Sequence, residues 1–351
     1  MEGAHKPFPF VRQQPPSPPP EPPEDGDITP FTSETPKPEE KLDLSWKSFR
    51  WPKLGRCPFD LEDLTFHGLL GRGQDGIVFK AQYKDTWIAL KVFHHHTRPN
   101  HIPYPHMYWP FERECKNATL LEKISKRLQE SLETKQPIYL YPDPSSHHDA
   151  LRNLRAFSDE GRVDDDHPAR QGMEPLQLDE GEELHANPCY GWMRLPTPLL
   201  HKLFYGFRML HHGQFYDSDM YYGIAYNYIG HGGGVYLDTD KVVRQMRILH
   251  LAGFLLELGL NHNNWRGDAT LIDMSDITSP AHSFGWVERH YSKQGEEQGE
   301  GEPNYKKWAH QSINKMRSYE RPQLSWLNPN EDVLYLHPTM GFPPKLPFKL
   351  K

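Results

Sequence analysis

Three glycines spaced Gly71-x-Gly73-x-x-Gly76, a valine at Val78, and a lone lysine, Lys91, inside the apolar run "TWIALKVF" are the residues of this 351-residue chain whose types and spacing could do chemistry. Glycine has no Cβ, so a loop of this kind lets backbone come close to a phosphate. An ammonium one hairpin further on could neutralise the phosphate charge. Two architectures use such glycines. In a dinucleotide-binding unit they end a strand and open a helix, whose N-terminus takes the pyrophosphate. Here "GIVFKAQYKDTWIALKVF" comes next, strand material with Lys84-Asp85 at a turn. A glycine loop between two antiparallel strands is therefore expected, and a dinucleotide oxidoreductase is disfavoured.

The elements that must position these residues can be read around them. "LTFHGLLG", "GIVFKAQYK" and "TWIALKVF" predict three consecutive strands, and residues 111–132 predict a helix with Leu120, Leu121, Ile124 and Leu128 on one stripe. An ammonium on a buried strand is costly without a counter-charge. The helix supplies Glu112 and Glu114, and the spacing favours Glu114, one turn in, beside the inward Ala118 and Leu121 face. The plain alternative for Lys91 is a strand-end lysine that keeps its ammonium in water. Residues 189–195 and 221–229 predict two more strands, and 238–253 a helix with Asp238 as N-cap and Gly253 at its end. Short strands are expected around "FLLEL" and "ATLIDM", and a last helix over 304–320.

Composition narrows the function classes. The net charge of −7 argues against a nucleic-acid binder working through bulk charge. Cys57, Cys115 and Cys189 are odd in number and widely spaced, which suits a reducing compartment. "MEGAHKPFPF" lacks the apolar core of a signal peptide, and the most apolar stretch, "AGFLLELGL", is short and carries Glu257. An intracellular protein, cytoplasmic or nuclear and without membrane contact, is expected. Residues 1–56 hold 13 of the 34 prolines and are expected to be a disordered proline-rich tail, with Pro15-x-x-Pro18 as a conceivable groove ligand. Residues 135–187 read as a disordered acidic insertion, because 159–184 hold ten acidic and two basic residues. Residues 292–304 read as a third such loop. The histidines His94, His95, His96, His101 and His106 lack the spacing and partners of a zinc site and read as a polar connection.

The glycine hairpin, the "IALK" that ends in Lys91 and the acidic helix after it resemble a protein kinase, over about Leu61 to Asp276. The order of "ERECKNATLL", "PCYGWMRL", "YYGIAYNYIGHGGG" and "NNWRGDATLIDMSD" is similar to a fungal kinase-like family that includes a kinetochore subunit of the Sim-four complex. The resemblance implies an α+β, bilobal protein kinase-like fold over 57–351, with an antiparallel N-lobe sheet and a shortened helical C-lobe. It implies an ATP-binding cleft with ATP and Mg as ligands. Gly71, Gly73 and Gly76 would approach the phosphates, Val78 and Ala89 would cover the adenine, and Lys91 would pair with Glu114. Tyr226 falls at the gatekeeper position, and Asn227, Tyr228 and Ile229 would offer backbone to the adenine edge. Asn263 and Asp273 match the metal-binding residues, although "NHNN" is a good loop sequence by itself and Asp273 could be an ordinary turn residue after a strand.

The pattern also departs from the family. Leu256-Glu257-Leu258 stands where His-Arg-Asp is expected, Met274-Ser275 replaces Phe-Gly, and no Ala-Pro-Glu comes after them. A pseudokinase acting as a protein-interaction module, with protein partners, is the expected function. The alternative is a divergent ATP-dependent protein phosphotransferase with Glu257 as a displaced base.

Overall fold

In one strand of the main sheet, buried and partly exposed residues alternate. In the strand Gly76–Tyr83, Ile77, Phe79 and Ala81 are buried on one face, while Val78, Lys80 and Gln82 lie on the other. The structure is a computed structural model that describes residues 27–37, 42–98, 108–144, 146–162, 170–178, 183–207, 215, 218–230, 238–256, 264–281 and 348–349. In chain order the elements are β1 (Thr32–Pro36), α1 (Trp46–Arg50), β2 (Leu54–Arg56), β3 (Thr65–Arg72), β4 (Gly76–Tyr83), β5 (Thr86–Phe93) and α2 (Pro110–Thr134). Next come β6 (Tyr139–Leu140), α3 (His147–Ala156), β7 (Glu174–Pro175), β8 (Cys189–Pro196), α4 (Thr197–Gly206) and β9 (Met220–Asn227). The last are α5 (Thr239–Leu251), β10 (Trp265–Arg266), β11 (Thr270–Leu271) and β12 (Phe348–Lys349).

The fold is α+β. One eight-stranded sheet has the order β1-β2-β8-β9-β5-β4-β3-β12. Its pairings from β8 to β12 are antiparallel, and β1 and β2 add in parallel beyond β8. Both faces are covered. On one face Ile77, Phe79, Leu90 and Ala225 pack with Leu200, Leu203 and Phe204 of α4. On the other, Phe93, Trp192 and Ile224 pack with Phe111, Leu121 and Ile124 of α2. Helix α2 begins at Pro110, where a missing N–H costs nothing, and ends at Lys135 in a left-handed conformation. The predicted stripe Leu120, Leu121, Ile124 and Leu128 is buried. Ser146 caps α3 by accepting from Asp149 N, and Asp238 caps α5 by accepting from Asp240 N and Lys241 N.

Two stretches expected to be disordered are folded wherever they are described. Residues 27–37 and 42–56 carry β1, α1 and β2, and they bury Phe31, Phe49 and Leu54 in the core around α2. Phe31 sits edge-on to Trp109 and Phe111, at 5.4 and 5.6 Å. Trp192 Nε1 donates to Ser33 O at 2.9 Å, and Lys123 Nζ donates to Ser48 O at 3.0 Å. Proline density misleads here because nine of the thirteen prolines precede residue 27. Within 135–187, Ile138, Leu140, Ala150, Leu154 and Phe157 are buried. Asn153 locks α3 in place: its Nδ2 donates to Tyr141 O and to Leu251 O, and its Oδ1 accepts from Tyr141 N at 2.7 Å. Acidity averaged over the stretch conceals this local apolar pattern. Pro15, Pro18, the acidic run 163–169, the loop 292–304 and the helix expected over 304–320 lie outside the described residues.

Phe49 is fully buried and Lys123 Nζ lies 5.6 Å from its ring centroid. Phe49→Ala is therefore expected to lower the unfolding free energy by about 3–5 kcal/mol, the usual cost of deleting a buried aromatic ring. Urea denaturation measures it, and a midpoint equal to wild type would place residues 42–56 outside the cooperative core.

Candidate functional site

Cross-strand register builds the site. Val78 is opposite Lys91, Ala89 is opposite Tyr226, and Ile88 is opposite Asn227, so the first four residues lie on one face of neighbouring strands. The hairpin joining β3 and β4 turns at Gln74-Asp75, closed by Gly73 N donating to Gly76 O at 2.9 Å. His94 braces it: its backbone N–H donates to Asp75 O at 3.0 Å, and its Nε2 stands 3.3 Å from Gly73 O. The three glycines differ in what they must accommodate. A Cβ on Gly71 or Gly73 would meet nothing within 4 Å, whereas one on Gly76 would lie 2.2 Å from Val92 O. Gly76 is thus required by strand packing, and Gly71 and Gly73 leave open space at the tip.

Lys91 points inward. Its Nζ donates to Glu114 Oε2 at 2.6 Å and to Asp273 Oδ1 at 3.0 Å. The Lys91 side chain is 10% exposed, that of Glu114 0% and that of Asp273 38%. Glu114 Oε1 also accepts from Tyr226 Oη at 2.8 Å. Burial opposes the charge on Lys91, but Asp273 and Glu114 outweigh it and hold the ammonium above the usual lysine range. Burial pushes Glu114 up to about 7 against the pull of Lys91, and Asp273 adds repulsion. Both shifts are upward, so the lysine is held charged while the glutamate is biased toward its neutral form. The asymmetry is physical: one ammonium faces two carboxylates, so the cation is over-compensated and the fully buried acid under-compensated. Asp273 is held below the usual carboxylate range, because Lys91 and Ser275 overcome its burial.

The segment after β11 is pinned beneath α2. Asn117 Nδ2 donates to Met274 O and Ile277 O, both at 2.7 Å, and Arg113 Nη1 donates to Ser275 O at 3.3 Å. Ser275 Oγ lies 2.7 Å from Asp273 Oδ1 and 2.7 Å from Asp75 Oδ2, so one hydroxyl hydrogen serves two carboxylates. Tyr108 Oη donates to the same Asp75 oxygen at 3.4 Å, and the Arg113 guanidinium lies 3.4 Å from the Tyr108 ring centroid. Asn264 Nδ2 donates to Asp276 Oδ2 at 2.6 Å. Burial and the neighbouring Asp273 push Asp276 above the usual carboxylate range.

The structure thus brings Lys91, Glu114, Tyr226 and Asp273 together, beneath Val78 and Ala89. Glu257 and Asn263 lie outside the described residues, and the asparagine next to the acidic segment is Asn264. The backbone expected to face an adenine is partly engaged. Asn227 N donates to Pro188 O at 2.9 Å, and Tyr228 N donates to Trp87 O at 3.1 Å. Both amides are drawn into strand-end pairing, and the Ile229 side chain lies against Gly267, 3.3 Å from where a Cβ there would stand. Asp75, Tyr108, Arg113 and Asn117 were not expected at the site from the sequence. Only Asp75 carried a signal, as an acid inside the glycine loop. Among the described residues no helix is long and apolar enough to cross a membrane, and no three His, Cys, Asp or Glu side chains are grouped to hold a metal ion.

No protein-family model and no curated protein matches the chain.

Gly76→Ala is expected to destabilise the fold while Gly73→Ala is tolerated, and thermal unfolding distinguishes them; equal melting temperatures would contradict the Val92 contact. Glu114 supplies a pH dependence of known sign. Its folded value lies above the unfolded one, so its contribution is complete below the ordinary glutamate value and is lost as pH rises through about 7. Urea unfolding at several pH values should show a shallower loss of stability between about pH 5 and 7 in Glu114→Gln than in wild type. Identical slopes would assign the dependence to another group.

Proposed function

We propose that this chain is a pseudokinase: a divergent, bilobal kinase-like domain whose cleft accepts an adenine ring, and which works as a protein-interaction module rather than as a phosphotransferase. The observation that carries this reading is the buried contact of Lys91 with both Glu114 and Asp273, partners 23 and 182 residues away in sequence. Protein kinases use a glycine loop between antiparallel strands, a lysine on the next strand, a glutamate on the helix after it and a metal-binding aspartate. Here β3, β4, β5, α2 and the residue after Ile272 supply the same parts in the same order. The similarity of the sequence to a fungal kinetochore family makes protein partners at that assembly part of the proposal.

The groups that would bind ATP and Mg fit unevenly. At the base end, Val78, Ala89 and Tyr226 share a face with no carboxylate among them, and Lys80, opposite Ala89, lies with its ammonium over the Trp87 and Tyr228 rings. At the phosphate end, Lys91 is engaged by two carboxylates, and Asp75 adds a third to the cleft. When bound, ATP with Mg would supply a transferable phosphoryl group and the charge that neutralises it. The residues around Asp75 do not fit a triphosphate in this arrangement. Leu256-Glu257-Leu258 further replaces the His-Arg-Asp that positions a substrate hydroxyl.

The assembled Lys91 triad also favours the second reading, a divergent phosphotransferase using Glu257. Incubation of the full chain with labelled ATP, magnesium or manganese and generic protein substrates separates the two. No incorporation above background is expected. Transfer that disappears in both Asp273→Ala and Glu257→Ala would overturn the pseudokinase reading.

A further inference from the structure

We infer that the cleft selects a nucleoside over a nucleoside triphosphate, with Asp75 as the residue that determines this specificity; the inference rests on the adenine-accepting reading of the same cleft.

A glycine loop attracts phosphate through its free backbone N–H groups and the room its glycines leave. At this hairpin tip the Gly73 N–H is spent on Gly76 O, and the Gly73 and Asp75 carbonyls are drawn to His94. The tip is therefore held in one conformation by the residue that directly continues β5. From that fixed tip the Asp75 side chain turns into the cleft and takes the Ser275 hydroxyl at 2.7 Å and the Tyr108 hydroxyl at 3.4 Å. A carboxylate thus stands where the loop would meet phosphate, bonded to the donors a phosphate oxygen would seek.

Charge points the same way. Asp75, Glu114, Asp273 and Asp276 gather around Lys91 and Ser275, against the ammonium of Lys91 and the guanidinium of Arg113. The ammonium already contacts two of these carboxylates. A triphosphate brought to this end meets like charge in a partly desolvated site, and such juxtaposition is strongly unfavourable. A nucleoside has the opposite character there. Its ribose hydroxyls can donate, and an ionised carboxylate accepts only. Its base would lie on the face formed by Val78, Ala89 and Tyr226, which carries no carboxylate. Asp75 and its neighbours therefore complement a sugar and reject phosphate.

The test is titration calorimetry on the full chain with adenosine, with ATP and with ATP plus magnesium. Wild type is compared with Asp75→Asn, which keeps the shape and the acceptor for Ser275 but removes the charge. Asp85→Asn, in the exposed β4–β5 turn, is the control. Asp75→Gly, suited to a tight turn, provides the same readout if the Asn variant does not fold. Adenosine should bind wild type about tenfold or more tightly than ATP, with or without magnesium. The Asp75 variants should raise ATP affinity by about tenfold or more and leave adenosine affinity within about twofold. ATP binding to wild type as tightly as adenosine, or unchanged by both Asp75 variants, would overturn the role of Asp75 while leaving the adenine cleft standing. Binding of neither ligand to any variant would overturn the adenine cleft and this inference together.

Discussion

An ammonium taken out of water must meet negative charge, and Lys91 meets it in two places at once: Glu114 on α2 and Asp273 after β11. Neither carboxylate belongs to the sheet that carries Lys91. The contact therefore ties three separate parts of the chain to one atom, and other bonds hold them there. Tyr226 fixes the second oxygen of Glu114, while Asn117 and Arg113 hold the backbone of Met274, Ser275 and Ile277 under the helix. Removing Lys91 alone would leave two carboxylates facing one another, a far costlier state than never having buried the charge.

The position of α2 in turn explains why the surrounding segments fold. This helix is buried over most of its circumference: Phe111, Cys115, Leu121, Ile124 and Leu128, together with Arg113, Asn117, Lys123 and Arg127, are all shielded from water. A helix with so wide a buried surface needs covering on more than the side that meets a sheet. The described residues of 28–37, 42–54, 138–144 and 146–157 provide that cover through Phe31, Phe49, Ile138, Leu154 and Phe157. The polar members are satisfied by the same wrapping. Lys123 donates to Ser48, and Arg127 Nε donates to Phe157 O at 2.9 Å.

The glycine hairpin is similarly constrained by the end of β5. His94 directly continues that strand, so the element that delivers Lys91 also delivers the group bracing the hairpin tip. Asp75 then reaches the segment that carries Asp273 through Ser275, closing a chain of hydrogen bonds and ion pairs from Tyr226 through Glu114, Lys91 and Asp273 to Ser275, Asp75 and Tyr108. In the proposed cleft this network makes the base end and the phosphate end chemically unlike.

Much of this was legible in the residues alone. The β-branched and aromatic residues of "GIVFKAQYK" and "TWIALKVF", with Lys84-Asp85 between them, are a local signal, and local signals set strands and turns: β4 and β5 run Gly76–Tyr83 and Thr86–Phe93. The helix expected over 111–132, which runs Pro110–Thr134, and the choice of Glu114 over Glu112 also come from spacing, because position on a helix decides which acid faces inward. Glu112 instead pairs with Arg98 and Lys116. Tertiary structure decided the rest. Phe31 and Phe49 belong to no periodicity that outweighs the average proline content, and their burial depends on the surface that α2 presents. The meeting of Asp75 with Ser275 spans 200 residues. Whether a turn aspartate faces water or a cleft depends on which donors the fold brings within hydrogen-bonding reach of it, and no local pattern encodes that distance.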